Sequence, residues 1–430
     1  MYTRATQMIA AFTSLLMLFG FLQLPAGAIG GRITLDATGQ PLSGVGIQLL
    51  KKDYDQQGLL RTSVIATAFT NDGGQYRFTN VYAGRYHLLT VARAARTNDI
   101  YLPVYYSLPG GNMDLLPGQT RTDIDIAVRR GRLVNLRGEV IDGLRRRLPH
   151  LDWFTLTPHL SGVPDLSGVK RIRYTNRNTF EFLNLVPGSY YIGLYRLDDE
   201  YRAEAVTSVD IAEDDIDDFL IVTGRGCDLR GRVHLEGSAQ IAAAARLRLI
   251  LRPLNNPLSV ATRSAGVSPD GRVSFTALPC NAAFQLFVDG VPPGYYMKSA
   301  TVRKVDVLEK GLSPDGGPYP LEVVLAHEGG AISGAVLDAQ RKPVDRSYIV
   351  LVPKENGLSR PDLYKVANTD QHGQFRIVDV APGDYDVYAL EELDGREYYA
   401  PDFRKRFAGL GQHIKVISNR TVSIQLPRVP

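Results

Sequence analysis

The stretch TDQHGQFRIVDVAPGDYDVYAL, Thr369 to Leu390, decides the fold because the chain contains nearly the same phrase a second time. TNDGGQYRFTNVYAGRYHLLTV, Thr70 to Val91, aligns with it without a gap at an offset of 369 − 70 = 299 residues, and Thr, Gly, Gln, Arg, Val, Gly and Tyr recur at matching places. Weaker copies are NTFEFLNLVPGSYYIGLY from Asn178 and DGRVSFTALPCNAAFQLFV from Asp270. The chain is therefore built from four copies of a unit of roughly 100 residues.

Each unit reads as a series of short strands. In AISGAVLDAQRKPVDRSYIVLVPK, Ala331 to Lys354, apolar and polar residues alternate on either side of a turn marked by Asp338 and Pro343. Period two with such turn signals predicts strand, turn, strand, and about seven strands fit one unit. We predict an all-β protein of four tandem β-sandwich domains, transthyretin-like or immunoglobulin-like, with closed barrels as the alternative.

The start of each unit carries an apolar, x, Gly, x, apolar signature. It occurs at Ile29–Ile33, Leu136–Val140, Leu229–Val233 and Ile332–Val336. We predict domains at 29–130 (repeat one), 131–225 (repeat two), 226–328 (repeat three) and 329–430 (repeat four), of which the middle two are degenerate. The joints are short and contain Gly, which predicts a semi-rigid rod.

The N-terminal segment resembles an export signal. One basic residue, Arg4, precedes an apolar run to Leu24, and Pro25 and small residues lead to Ala28. This pattern predicts a signal peptide over residues 1–28, cleaved after an Ala-x-Ala site, and an uncleaved anchor is the alternative. We expect a secreted or periplasmic protein of 430 − 28 = 402 residues with no membrane span after cleavage.

The net charge bears on nucleic-acid binding, and the two cysteines bear on disulfide formation. The formal net charge is +4 with both signs interspersed, so the composition gives no argument for nucleic acid. The two cysteines, Cys227 and Cys280, both lie in repeat three, at places where repeat two has Val134 and a Pro-Gly turn. In an exported protein this pairing predicts a disulfide, and two separate buried thiols are the alternative.

Motifs for catalysis are missing from the sequence. It has no HExxH, HxxE, CxxC, GxSxG or phosphate-binding loop, and its seven His residues are dispersed. We therefore predict no enzyme, no catalytic residue, no metal and no cofactor. The acidic run Glu213–Leu220 is compatible with calcium binding or with a solvated turn. The basic run Gly143–His150 is compatible with binding an anionic envelope polymer or with simple exposure to solvent.

The most suggestive side chains are aromatic. Repeats one and four each carry a proline-stiffened aromatic loop after the shared phrase, DIYLPVYYSLPGG and EYYAPDFRKRF. Such rings stack on the apolar faces of sugars or bind peptides, or else they cap the open end of each sandwich. The candidate ligand-binding residues are Tyr101, Tyr105, Tyr106, Tyr398, Tyr399 and Phe403.

Repeats one and four resemble a known family. ISGAVLDAQRKPV, TDQHGQFRIVDVAPGDY and YYAPDF, together with GRITLDATGQPLSG and YLPVYYS, are similar to the carboxypeptidase regulatory-like domain, a transthyretin-like sandwich grouped with carbohydrate-binding-like folds. The resemblance implies a secreted bacterial protein with tandem domains of this type. It implies no peptidase activity, since the zinc motif of the peptidase partner is absent.

These observations lead to one main functional hypothesis and one alternative. The first is an exported, non-catalytic protein that binds carbohydrate, with a polysaccharide as its partner. The alternative is a structural spacer or adhesion scaffold of the cell envelope, whose partner is another cell-envelope protein. The sequence leaves the oligomeric state unknown.

Overall fold

The computed structural model describes most of the chain after the N-terminal segment. The described residues are 25–58, 60–91, 93–96, 99–106, 113–142, 153–160, 163–164, 170–171, 173–174, 179–196, 202–223, 226–237, 246–254, 262–280, 282–315, 317, 320–354 and 359–429. Residues 1–24 of the expected signal peptide and the basic run 143–150 lie outside them. No helix within these ranges is both long and apolar enough to cross a membrane.

The described chain consists almost entirely of strands. The strands up to residue 128 are β1 (Gly27–Leu35), β2 (Gly46–Tyr54), β3 (Leu60–Phe69), β4 (Gln75–Val81), β5 (Gly84–Thr90), β6 (Arg93–Arg96), β7 (Asp99–Tyr101), β8 (Tyr105–Tyr106), β9 (Met113–Leu115), β10 (Thr120–Arg121) and β11 (Ile126–Val128). Those up to residue 223 are β12 (Arg130–Arg132), β13 (Val134–Asp142), β14 (Trp153–Leu160), β15 (Val163–Pro164), β16 (Lys170–Arg171), β17 (Arg173–Tyr174), β18 (Thr179–Leu185), β19 (Gly188–Arg196), β20 (Arg202–Ile211) and β21 (Ile216–Thr223).

The second half of the chain repeats this plan. Its first group of strands is β22 (Cys227–Leu235), β23 (Arg248–Pro253), β24 (Arg263–Gly266), β25 (Arg272–Leu278), β26 (Phe284–Asp289), β27 (Tyr296–Val302), β28 (Val305–Asp306) and β29 (Leu321–Ala326). The last group is β30 (Gly330–Leu337), β31 (Tyr348–Pro353), β32 (Lys365–Asn368), β33 (Gln374–Val380), β34 (Gly383–Leu390), β35 (Gln412–Val416) and β36 (Thr421–Pro427). Among the described residues, repeat four also contains the α-helix α1 (Pro401–Arg406) and the 3₁₀ turns Pro361–Leu363 and Glu397–Tyr399.

Every repeat forms two facing sheets. The opening strand is central in the first sheet, as in the orders β18-β13-β21, β25-β22-β29 and β33-β30-β36. The second sheet contains the second strand and the strand that ends the shared phrase, as in β3-β2-β5-β8 and β32-β31-β34-β35. The predicted tandem β-sandwich fold is confirmed, whereas the exact domain boundaries stay a prediction.

The glycine of the repeat-start signature has a structural cause. In every repeat the opening strand runs parallel to the last strand of the same sheet. A Cβ on the signature glycine would meet a carbonyl oxygen of that last strand or of the chain entering it, at 1.8 Å for Gly31, 1.9 Å for Gly138, 2.7 Å for Gly231 and 2.1 Å for Gly334. Only glycine allows this approach, so the signature marks the parallel pairing.

The turn that opens the shared phrase is closed by an Asx side chain. Asp370 Oδ1 accepts the N–H groups of His372 and Gln374, both at 2.8 Å, and Asn71 plays the same part in repeat one. The glycine that follows has φ of 73° at Gly74 and 70° at Gly373. This turn therefore requires an Asx residue and a left-handed glycine.

The second turn of the phrase follows the sequence-based expectation at two of its three glycines. The Pro-Gly pattern leads one to expect a positive φ at Gly84, Gly188 and Gly383. Gly84 and Gly188 have the expected positive φ, at 153° and 158°, whereas Gly383 is not among the positive-φ residues. The left-handed residue lies earlier, at Asp379 with φ 56°, where β33 shifts register against β30.

Each sandwich has its own hydrophobic core between its two sheets. In repeat three, Cys227 and Cys280 form a disulfide with a Cα–Cα distance of 5.2 Å. It joins the start of β22 to the turn that follows β25.

The predicted semi-rigid rod does not describe the arrangement of the units, because repeat one contacts repeats three and four. The tip of the β2–β3 hairpin of repeat one contacts repeat four, as in the Lys51–Asp394 ion pair, and repeat three, as in the bond from Arg252 to Gln57. Short joints limit the motion of neighbouring units, but they do not determine whether distant units meet.

Candidate functional site

The aromatic loop of repeat four covers its own sandwich. Pro401 starts α1 and basic residues occupy its last turn, an arrangement that suits a short helix. The helix packs on the outer face of the second sheet, where Phe403 is 0 % and Tyr398 8 % exposed. The buried partners of these rings are Val350, Val352, Tyr364, Tyr388, Leu390, Phe407 and Val429.

The corresponding loop of repeat one takes a different form. Tyr105 and Tyr106 make up β8, which pairs with β5 at the edge of the second sheet. The Tyr105 ring stacks on His87 at a centroid distance of 5.3 Å and packs against Leu50 and Leu89. Tyr101 and Tyr106 are half-buried against the main core of repeat one.

These positions decide how the candidate rings can act. Phe403 and Tyr398 have no free face on which a sugar could stack, because both are buried in the second core of repeat four. Their burial leaves no room for a sugar on these two rings, and they cover the outer face of the second sheet rather than the open end of the sandwich. Tyr399 is half-buried and contacts Tyr54 of repeat one, so its ring takes part in a contact between repeats.

Tyr399 belongs to a joint that we call the clasp, formed by Lys51–Gly58 of repeat one and Asp394–Tyr399 of repeat four. The Lys51 ammonium lies 2.7 Å from Asp394 Oδ1, and Asp53 Oδ1 accepts the Arg396 N–H at 2.9 Å. The Tyr54 and Tyr399 rings lie 6.0 Å apart. The ionic and backbone contacts thus join residues that are 343 positions apart, and the aromatic contact joins rings 399 − 54 = 345 positions apart.

Two glycines allow this close approach. Gly395 has φ 56°, and a Cβ there would meet Asp53 Oδ1 at 2.5 Å. Gly58 has φ 68°, and a Cβ there would meet Pro361 at 2.9 Å and Tyr399 at 3.5 Å. The clasp therefore depends on backbone proximity that side chains would block.

Charged groups surround the clasp. Glu397 pairs with Arg406 at 2.7 Å inside repeat four and with Arg85 of repeat one at 3.8 Å. A cavity of about 160 Å³ remains between the two repeats. It is lined by Lys52, Asp53, Tyr54, Leu60, Arg85, His87, Asp394, Glu397, Ala400, Pro401 and Asp402.

Repeat three holds the same hairpin from a second side. Arg252 donates to the Gln57 carbonyl oxygen at 3.1 Å and lies 3.8 Å from Asp55. Its guanidinium also lies over the Phe287 ring at 4.3 Å. Burial lowers the pKa of Arg252 below its ordinary value, and Asp55 opposes that shift.

Repeats three and four are also linked directly. Arg360 donates to the Met297 carbonyl oxygen at 2.8 Å, and Asp379 accepts the Gly294 N–H at 3.2 Å. One hairpin tip is thus fixed between two sandwiches that are themselves bonded together. These contacts connect repeats one, three and four.

Behind the clasp, the outer face of the second sheet of repeat one holds a buried histidine. His87 is 2 % exposed, and burial lowers its pKa to about 4, with a further lowering from Lys52. Burial likewise lowers the pKa of Lys52 and raises that of Tyr105. These shifts arise mainly from desolvation, because each charged form would lose water without gaining a counterion.

The acidic run is partly paired within repeat two. Arg137 pairs with Asp217 at 2.8 Å, Arg132 pairs with Asp214 at 3.1 Å, and Asp215 accepts two bonds from Asn135. Backbone and side-chain bonds from Asn135 lower the pKa of Asp215. No group of three or more His, Cys, Asp or Glu suited to a metal occurs in the described part of the chain. The run is a partly paired surface segment.

Sequence reasoning found one side of the clasp and missed the other. Tyr399 stood out as an aromatic loop residue, whereas Lys51 and Asp53 read as ordinary polar positions of a hairpin. The only available signal was Gly395, a glycine with no counterpart in the loop of repeat one. Contacts at such a separation leave no periodic pattern in one sequence.

Comparison with known proteins gives no sequence match and only distant structural matches. No protein-family model matches the chain, and no curated protein matches its sequence. Among solved structures, the Bacillus anthracis TIE protein is 10 % identical over 90 % of this chain and 68 % of its own, with a TM-score of 0.19. The Streptococcal ancillary pilin is 12 % identical over 94 % of this chain and 99 % of its own, with a TM-score of 0.21. The minor pilin of Streptococcus agalactiae is 14 % identical over 46 % of this chain and 96 % of its own, with a TM-score of 0.24. At such values the fold assignment rests on the sheet topology alone.

Proposed function

We propose that the protein is an exported, non-catalytic scaffold of the cell envelope that holds another envelope protein. The observation that carries this proposal is the clasp, in which an aromatic loop expected to bind sugar instead joins repeats one and four. A pre-organised body of this kind suits a spacer, because little flexibility has to be lost when a partner binds.

An edge strand offers a contact surface for such a partner. In the described residues β3 pairs only with β2, so its other side presents backbone donors and acceptors. Phe69 at its end is 70 % exposed and Ile65 is 51 % exposed. Strand addition to an edge with apolar side chains is a common mode of peptide and protein recognition. β15 of repeat two lies near β3, which leaves the end at Phe69 as the favoured part.

The test combines capture with a matched variant. The mature protein is cross-linked to an envelope extract, beside Phe69→Asp and the control Leu410→Asp, whose parent side chain is 50 % exposed in repeat four. We expect one partner protein to be captured by the wild type and the control and to be lost with Phe69→Asp. Equal capture by all three would contradict the edge contact.

A glycan array separates this proposal from carbohydrate binding. We expect no binding to neutral glycans. Specific binding that disappears in Tyr101→Ala with Tyr106→Ala, in a protein that still folds, would replace the scaffold proposal by the carbohydrate hypothesis. The carboxypeptidase regulatory-like resemblance stays a prediction from the motifs of repeats one and four.

A further inference from the structure

Repeat three contains an open groove lined with arginines. β24 and β25 are edge strands of its two sheets, and a cavity of about 660 Å³ lies along them. Its polar lining includes Arg230, Arg248, Arg263, Arg272, Ser264, Ser268, Ser274 and Thr276. Guanidinium and hydroxyl groups are the donors that oxyanions require.

The positive charge of this groove is only partly compensated. Arg272 pairs with Asp270 at 3.1 Å and remains largely exposed. Arg248 donates to the Ser264 hydroxyl at 3.1 Å, so its charge meets a neutral acceptor. Within the described ranges no carboxylate pairs with Arg230 or Arg248. Several cations around one concave surface raise the local concentration of anions.

The fold itself does not require these arginines. The register of the shared strands places Gly30 and Ser333 at the position of Arg230, and Gln75 and Gln374 at that of Arg272. At the position of Arg248 the strand pairing places Gly46 and Tyr348. Repeat two has Arg137 at the position of Arg230, where it pairs with Glu181 and Asp217. Arg248 and Arg272 are therefore the groove arginines that best separate repeat three from repeats one and four.

Space for a ligand also distinguishes this groove. A Cβ added to Gly266 would meet no atom within 4 Å. The same register position in repeat one is Phe69, whose large ring contacts the region of Gly46. The groove of repeat three thus combines charge with open volume.

We propose that the groove between β24 and β25 binds phosphate groups, presented in series by a linear anionic polymer. Several arginines can each form paired bonds to phosphate oxygens, and the serine and threonine hydroxyls supply additional donors. A series of phosphates gains over a free ion, because neighbouring groups bind at a high effective concentration.

Isothermal titration with inorganic polyphosphate tests this proposal. We expect binding that weakens at least tenfold between about 50 mM and 300 mM salt, since exposed charges are screened. Inorganic phosphate alone should bind at least tenfold more weakly than the polymer, and neutral dextran should not bind. Tighter binding of free phosphate would replace the polymer by the free ion as the ligand.

Variants connect the binding to the groove. Arg230→Gln with Arg248→Gln should reduce polyphosphate affinity at least tenfold, with an unchanged unfolding midpoint because both side chains are exposed. The control Arg346→Gln with Arg376→Gln makes the same change of charge on exposed arginines of repeat four. An equal loss in both pairs, no binding by the wild type, or equal affinity for polygalacturonate would overturn the proposal.

Discussion

At the residue scale, one tyrosine explains the end of the shared phrase. The hydroxyls of Tyr86 and Tyr385 donate to the carbonyl oxygens of Tyr82 and Ala381, four residues earlier. Tyr190 makes the same contact to Val186 in repeat two. The bond closes the turn before the second strand of the shared phrase, which is β5, β19 or β34. It resembles the tyrosine corner of other sandwiches.

Repeat three has Ala283 at this position and closes the same turn with the disulfide instead. Counting five residues on from the strand end gives Tyr86 after Val81 and Ala283 after Leu278. Cys280 lies in that turn and is bonded to Cys227. The two cysteines and the missing tyrosine are thus one coupled departure from the repeat.

Removing the tyrosine bond should weaken repeat four. Tyr385→Phe leaves the ring in place and the Ala381 carbonyl without its donor, so the free energy of unfolding should fall by about 1 kcal/mol. Tyr82→Phe, at a side chain 54 % exposed, is the matched control and should change it by less than about 0.5 kcal/mol. Urea unfolding measures both, and equal effects would contradict the role of the bond.

The disulfide should be the larger restraint. It closes a loop over a sequence separation of 53 residues, and its loss in Cys227→Ala with Cys280→Ala should cost about 2–4 kcal/mol. In urea without a reductant, the mature protein should show no reactive thiol. Two titratable thiols under these conditions would mean that the bond is absent.

His87 should make stability sensitive to acid. Its pKa is about 4 when folded, below the ordinary value of 6.5, so the unfolded chain takes up a proton first as the pH falls. Above about pH 6.5 His87 is neutral in both states and does not lower the free energy of unfolding. As the pH falls from about 6.5 to about 4, protonation of His87 in the unfolded chain lowers that free energy progressively. His87→Gln cannot bind that proton and should lose less stability between pH 7 and pH 5 in urea titrations. An equal loss in the variant would contradict the neutral, buried state of His87.

At the element scale, the opening strand was the most predictable part of the fold. Alternation of apolar residues placed Ile332 and Val336 in a core, and both are 0 % exposed. The signature glycine was visible in sequence, but its reason was not. The cause is a carbonyl oxygen about 90 residues later, such as that of Ile424 beside Gly334.

A single methyl group tests the parallel pairing. Gly334→Ala would place a Cβ 2.1 Å from the Ile424 oxygen, so β36 has to move and the free energy of unfolding should fall by at least about 2 kcal/mol. Gly266→Ala adds the same group to a strand where nothing lies within 4 Å. Urea unfolding should show little change for this control, and a similar change in both would contradict the steric explanation.

The aromatic loops mark the limit of reading elements from sequence. Tyr105 lies in a two-residue strand, whereas Phe403 lies in a helix, although both loops follow the same phrase. Short segments of this kind take the structure that their packing partners stabilise. In repeat four the partner is the apolar outer face that contains Val350 and Val352.

At the scale of the whole molecule, the sequence predicted tandem β-sandwich units but not their arrangement. Tandem sandwiches followed from the repeats, and the rod followed from the short joints. The clasp depends on Asp53 accepting the Arg396 N–H across more than 300 residues, a contact that no local pattern encodes. Such a joint connects repeats that lie far apart in the sequence.

The most direct test of the clasp is a zero-length carbodiimide cross-link mapped by mass spectrometry. The reagent joins an ammonium and a carboxylate that already touch, and Lys51 lies 2.7 Å from Asp394 across repeats one and four. Lys298–Glu236 and Lys354–Asp386, also at 2.7 Å, are internal controls within repeats three and four. The clasp predicts that the monomer contains all three cross-links. Formation of both control links without the Lys51–Asp394 link would contradict it.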